Sequence, residues 1–248
     1  MKRLLSLVLL LCLVCCAACA DPLPLLEDYA NTIDRPFEEG NPDSPRFVYS
    51  YRFPHVDVSA EGGVNINAFY EELVSYTEGF TIPMNMDAYE ENDSVTDITY
   101  EVTCNDDDYF SVLVRTVQSA GERERVFYEG HVFSRKNGAP GQTWTLPKLL
   151  GILDSSESDT WLQDRQTAKA DELVLDMVWE RIEDNENGVA YDPELTRERL
   201  SHFFFPEEDY YLDADGNPVF ILQPGAAAPV EAGLLTFPIP LEDILDEM

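Results

Sequence analysis

Three histidines, His55, His131 and His202, and a carboxylate-rich loop, Asp213-Ala-Asp-Gly-Asn217, are the residues of this 248-residue chain whose types first invite chemistry. The histidines lie far apart, lack the spacing of a metal site, and none falls in an HExxH segment. His131 shares strand parity with Phe127 and Phe133, which marks a packed core histidine rather than a base. The loop fails the EF-hand template, because glycine comes fourth rather than sixth and the twelfth place is Pro224. A hairpin turn is the expected reading, since Asp-Gly tolerates the positive backbone dihedral that such turns need. Asp184, Glu186 and Asp192 fail the calcium template in the same way. Cys104 sits among core positions and acidic neighbours, the reverse of what a thiolate nucleophile needs. No GxSxG, P-loop or Rossmann glycine pattern is present. With 48 Asp and Glu, carboxylate pairs are too common to single out. The expectation is a chain that is not an enzyme, with no catalytic residue, cofactor or metal assigned.

The other four cysteines, Cys12, Cys15, Cys16 and Cys19, are crowded into the first twenty residues, so they cannot staple a fold. They sit in a leader: Met1-Lys2-Arg3 is basic, Leu4 to Val14 is apolar, and Ala17, Ala18 and Ala20 are small. The apolar run falls short of the roughly 20 residues of a membrane span, and no later segment comes closer. Residues 1–20 therefore read as a signal peptide. Two processing routes fit. Ala18-Cys19-Ala20 suits ordinary cleavage before Asp21, whereas Cys16-Ala17-Ala18-Cys19 resembles a bacterial lipobox whose last cysteine, Cys19, becomes the acylated first residue. The lipoprotein route is the preferred one, although Cys16 stands where a lipobox has leucine.

Formal charge is -32, and losing Lys2 and Arg3 with the leader takes it to -34. Such a surface repels nucleic acid and anionic membrane, which require Lys and Arg against phosphates. Its complement is a cationic protein or peptide, and membrane contact is left to a lipid anchor. Hydrophobic residues at 44% and aromatics at 11% are enough for a packed core rather than disorder.

Elements follow from periodicity. Asp21 to Pro45 shows none and reads as a flexible acidic tether over 21–45. Phe47, Tyr49, Tyr51 and Phe53 alternate onto one face of a strand ended by Pro54. A helix follows, capped at Asn65 or Asn67, with Ile66, Phe69, Tyr70, Leu73, Val74 and Thr77 as its stripe and Gly79 as its end. Ile98, Tyr100, Val102 and Cys104 share the face of one hairpin strand, and Tyr109 to Val117 forms the next. Arg125 to Arg135 is a strand leading through Asn137-Gly138 to Gln142–Leu146. A second helix runs from near Ser158 to Asn187-Gly188, burying Leu173, Val174, Met177, Val178 and Ile182. A helical turn at Pro193–Leu200, a hairpin of Tyr210–Leu212 with Val219–Gln223, and an edge strand at Leu234–Ile239 complete the chain. Strands joined mostly by turns predict an α+β fold, a mainly antiparallel sheet packed by two main helices.

Two stretches resemble a known family. Trp144-Thr-Leu-Pro-Lys-Leu-Leu150 after Asn137-Gly138, and a tail holding Phe205, Gly216, Val219-Phe220-Ile221, Ala228-Pro229, Gly233 and Phe237-Pro238-Ile239-Pro240, look like the extracellular domain of RsiV-type anti-sigma factors and PdaC-type deacetylases. Tyr51-Arg-Phe-Pro54 and Val64-Asn-Ile-Asn67 look like the opening of its companion segment. The resemblance implies an N-terminal segment at 46–150 and a C-terminal one at 151–248, an α/β ectodomain without catalysis and, in RsiV itself, lysozyme binding. No span or sigma-binding part matches. The family's Gly-Ala-His becomes Ala120-Gly121-Glu122 and its Tyr-Glu becomes Pro224-Gly225, so no binding residue transfers. The reading is a surface-anchored or secreted bacterial module binding a cationic protein such as lysozyme. The alternatives are a peptidoglycan or cell-wall glycan binder, a hydrolase accessory in the envelope, or an acidic lipoprotein subunit of an envelope complex.

Overall fold

A computed structural model of the chain describes residues 22–41, 43–88, 92–136, 138–152 and 160–248. The leader, with Cys19 and the other clustered cysteines, lies outside them, as does Asn137. The architecture is α+β: a five-stranded sheet ordered β1-β2-β3-β4-β5, a three-stranded sheet ordered β6-β7-β8, and helices packed on both.

Strand β2 (Arg46–Phe53) forms because its four alternating aromatics bury one face, and Phe47, Tyr49, Tyr51 and Phe53 are each at most 4% exposed. Helix α1 (Gly63–Tyr76) lays Ile66 and Tyr70 on that face, with the Tyr70 ring stacked 5.9 Å from Phe53. Burying such a side chain stabilises the fold by about 1.5–3 kcal/mol. The helix starts earlier than the asparagines suggested. Gly62, at φ 86°, precedes it, and the close approach of Gly141 leaves no room there for a side chain. Asn67 is instead a buried strut: the Val56 N–H donates to its Oδ1 at 3.0 Å and its Nδ2 donates to the Val56 carbonyl at 2.8 Å. Asn67→Ala removes both bonds and strands two buried backbone groups, so urea unfolding should show a loss of about 2–3 kcal/mol. Nor does Gly79 end the helix. The chain continues through a π-helical turn (Thr77–Thr81) into α2 (Ile82–Ala88).

That helical excursion returns the chain parallel to itself, so β3 (Ser94–Asn105) pairs parallel with β2 as a βαβ unit. The other pairs in this sheet are antiparallel, β3 with β4 (Tyr109–Ala120) and β4 with β5 (Arg123–Ser134). Ile98, Tyr100 and Val102 do share a face toward α1. Cys104 does not, because the register shifts between Val102 and Cys104 and turns the thiol to the opposite side, into the second core. Burial, with Asp106 beside it, pushes the Cys104 thiol up to about 12.

The segment read as a tether is ordered over much of its length, which corrects that expectation. Strand β1 (Tyr29–Pro36) pairs antiparallel along all of β2, and Leu23 is 2% exposed, held by the side chain of Asn105. An edge strand with a wet face needs only a few inward groups, here Tyr29 and Ile33, and its pairing satisfies the outer edge of β2.

The second core lies on the other face of the large sheet. Strands β6 (Tyr210–Leu212), β7 (Pro218–Leu222) and β8 (Leu235–Pro238) form a meander whose turn at Gly216 takes φ 78°, and the Asp213 carboxylate caps the Asp215 and Asn217 N–H groups. The loop weighed for calcium is therefore a hairpin turn. Helix α4 (Thr160–Glu183) buries Ala170, Val174, Leu175, Val178 and Ile182 in this core, with Leu173 and Met177 at its margin. Helix α3 (Leu146–Leu149) packs there too, so the second core gathers residues on both sides of the 150/151 division. Helices α5 (Arg197–Leu200) and α6 (Leu241–Glu247) close it. The motif residues Leu146, Phe220, Phe237 and Ile239 are almost fully buried in it.

Candidate binding cleft

Strand β5 is the end strand of the large sheet, and how its edge is covered creates the site. Odd residues, His131 and Phe133, face α1, while Val132 faces the small sheet. The Gln223 side chain caps the backbone of Tyr128, accepting from its N–H at 2.9 Å and donating to its carbonyl at 2.8 Å. Farther along, the returning chain pairs with the strand: the Trp144 N–H donates to the Val132 carbonyl at 2.7 Å, and the Tyr210 hydroxyl donates to the Trp144 carbonyl at 2.5 Å. Gly130 permits this closeness. A Cβ there would lie 1.8 Å from the Tyr210 carbonyl oxygen.

Between β5, the 143–145 return and the segment Glu207–Tyr210 lies a cleft of about 610 Å³. Its walls carry Phe127, Tyr128 and Trp144, and its charged groups are Glu129, Glu207, Glu208 and Asp209. No Lys or Arg is among the described residues lining it. His131 forms part of the floor, 7% exposed, with Nδ1 3.2 Å from the Tyr70 hydroxyl and Nε2 3.2 Å from Glu129 Oε1. The hydrogen bond from His131 holds the Glu129 carboxyl below its usual range, so the rim stays charged. Lys148 Nζ rests 5.4 Å from the centre of the Trp144 ring, so this ring already carries one ammonium group of the chain itself.

Glu207 and Glu208 also line a second cavity of about 350 Å³, walled by Leu175, Phe204, Phe205 and Pro206 and by Asp171 of α4. Asp171 faces Glu207, and its Oδ1 is buried without a hydrogen-bond donor among the described residues. Burial first and the Glu207 charge second raise the Asp171 carboxyl from 3.8 to about 7. A folded-state value above the unfolded one means that the folded protein holds the extra proton. Stability is thus lost as pH rises from about 4 to about 7. Asp171→Asn should match the wild type near pH 4 and exceed it at pH 8 by about 1–2 kcal/mol, a figure discounted for solvent screening at this half-exposed site. Thermal melts at the two pH values check this, and a pH-independent gain would contradict it.

Of the three histidines only His131 reaches the cleft, together with Phe127 and the motif residues Trp144 and Thr145. His55 sits against the Tyr29 ring with Nδ1 3.1 Å from the Glu27 carbonyl oxygen, and His202 is exposed just after α5. The described residues hold no cluster of three or more His, Cys, Asp or Glu able to bind a metal ion. Sequence reasoning missed Glu207-Glu208-Asp209 because carboxylates crowd the whole chain. The signal available was their position directly after Phe203-Phe204-Phe205-Pro206, where an apolar anchor turns an acidic run into a wall.

No family model matches the chain, and no curated protein matches it. Among solved structures, a DUF3298 family protein from Pseudomonas aeruginosa PAO1 is similar at a TM-score of 0.55 and 11% identity, over 92% of this chain and 94% of that one. A member of the DUF3298 family from Bacteroides fragilis is similar at 0.49 and 13% identity, over 90% and 93%. The Pseudomonas likeness establishes a shared fold.

Proposed function

We propose that the chain is a non-catalytic binding module exported to the cell envelope, tethered by a lipid on Cys19 or secreted, and that it receives a cationic extracellular protein of the lysozyme kind in the cleft beside β5. The observation that carries this is the cleft itself, which joins four carboxylates and three aromatic walls with no Lys or Arg among the described residues that line it. Carboxylates beside aromatic faces suit ammonium and guanidinium groups, through charge-assisted hydrogen bonds and cation–π contact. The formal charge of -32 steers such a partner from a distance and repels nucleic acid. Resemblance of the tail to the RsiV-type ectodomain supports the lysozyme class in particular. No helix among the described residues is long and apolar enough to cross a membrane.

The test is calorimetric titration of the purified protein with lysozyme at about 20 mM and about 300 mM salt, where the screening length falls several-fold. Binding that weakens by about tenfold or more with salt is expected. No binding at low salt, where attraction is strongest, rejects the reading. Saturable binding of peptidoglycan fragments without lysozyme binding would move the assignment to a glycan ligand, for which the aromatic walls are equally suited.

A further inference from the structure

The outer edge of β5 has a gap inside the cleft. In an antiparallel ladder, alternate residues of a strand turn both backbone groups toward the same side, and the register of β4 with β5 runs unbroken through this stretch, with Leu113 opposite Gly130. Tyr128, Val132 and Ser134 point outward: Gln223 caps both groups of Tyr128, the Trp144 N–H donates to the Val132 carbonyl, and Ser134 exchanges bonds with Gln142 and Gly141. Gly130 has the same parity, so its N–H and C=O leave the sheet on this edge too. Neither has a hydrogen-bond partner among the described residues. Because glycine has no side chain, what Gly130 contributes to the cleft lining is its main chain. The Trp144 return, antiparallel to β5, stops one rung short of it before the chain turns into α3. We propose that the cleft takes an extended segment of its partner, one residue of which pairs its own N–H and C=O with Gly130 and continues the ladder that Trp144 leaves off. This deepens, and rests on, the reading of the cleft as the contact surface for a cationic protein.

The pleat dictates the chemistry of that segment. A residue directly opposite Gly130 shares its face, the small-sheet side, where Glu207, Glu208 and Asp209 lead into β6. The residue next to it falls on the other face with Glu129, whose carboxylate stands 3.2 Å from His131 Nε2. Two consecutive basic residues therefore meet carboxylates on both faces, and no Lys or Arg among the described lining residues competes with them. The edge also limits length. The outward carbonyls of Tyr128 and Val132 are already engaged, and these residues stand about 13 Å apart along the strand, so there is room for about three residues. An exposed loop tip or a chain end fits this gap, and a long strand does not.

Nitrogen-15 NMR titration of the purified protein at about 20 mM salt, with the blocked peptide Ala-Lys-Lys-Ala as probe, tests the pairing. The Gly130 amide should shift and gain exchange protection as the peptide saturates. N-methylation of one lysine amide, which removes a donor and keeps the charge, should weaken binding about tenfold, while N-methylation of the other should leave it nearly unchanged. The blocked peptide Lys-Ala-Lys, equal in charge, puts both ammonium groups on one face and should bind about fivefold more weakly. Equal affinity of all four peptides with an unmoved Gly130 amide overturns the pairing. Lysozyme binding that leaves the Gly130 amide unprotected likewise overturns it, and the cleft then stands as a contact surface acting through side chains alone. Pairing of Ala-Lys-Lys-Ala at Gly130 without lysozyme binding supports the edge and rejects lysozyme as the partner.

Discussion

Gly130→Ala is expected to lower stability by about 3 kcal/mol or more, because overpacking against backbone cannot be relieved by a rotamer change. The added carbon would sit 1.8 Å from the Tyr210 carbonyl oxygen and 2.7 Å from its carbonyl carbon, inside both atoms' contact distances. Tyr210 cannot retreat easily. Its ring is buried at 3% exposure against Phe220, and its hydroxyl is tied to the Trp144 carbonyl. The strain would push the small sheet off the large one, where Ser111 Oγ of β4 accepts from the Leu212 N–H of β6 at 3.0 Å and Gln223, just after β7, caps Tyr128 of β5. Chemical denaturation should show the loss, and lysozyme binding should fall with it, since the cleft lies along that junction. The same substitution at Gly138, where a Cβ meets nothing within 4 Å, is the control for added side-chain volume, although its φ of 102° carries its own strain.

Reversing the charge of the wall, Glu207→Lys with Glu208→Lys, should weaken lysozyme binding by more than about 100-fold at low salt, since like charges at a contact cost several kcal/mol. The fold should survive. Glu208 is exposed and Glu207 is half-buried, and a cation at 207 would face the Asp171 carboxylate that Glu207 now repels. Reversing two acids on α6, Glu242→Lys with Asp246→Lys, changes net charge equally and should cost only the long-range steering, about tenfold or less. Equal losses from the two pairs would mean that the field matters and the cleft does not.

The parts of this fold legible in the sequence are those where one face is buried without interruption. The four aromatics of β2 announce a strand because alternation is unbroken, and the α4 stripe is read correctly because Val174, Val178 and Ile182 recur at helical spacing. Legibility fails where a long-range contact decides. Strand β1 has two inward side chains and owes its structure to β2, so nothing local marks it. The bulge before Cys104 reverses a face that strict alternation had assigned. Asn65 and Asn67 look like helix caps by type, yet Gly62 begins the helix while Asn67 braces Val56, 11 residues away. The cleft is the extreme case. It joins Glu129 to Glu207, 78 positions apart, through a sheet-to-sheet contact that only Gly130 permits, and no local pattern encodes it.

Hydrogen-exchange footprinting of this protein with and without lysozyme at low salt tests the cleft most directly. Protection on binding is predicted for peptides covering 127–132, 143–145 and 205–210, with little change at β1 or at the exposed stripe of Tyr76, Phe80 and Met84. Protection centred on that stripe, with the three cleft segments unchanged, would contradict the account.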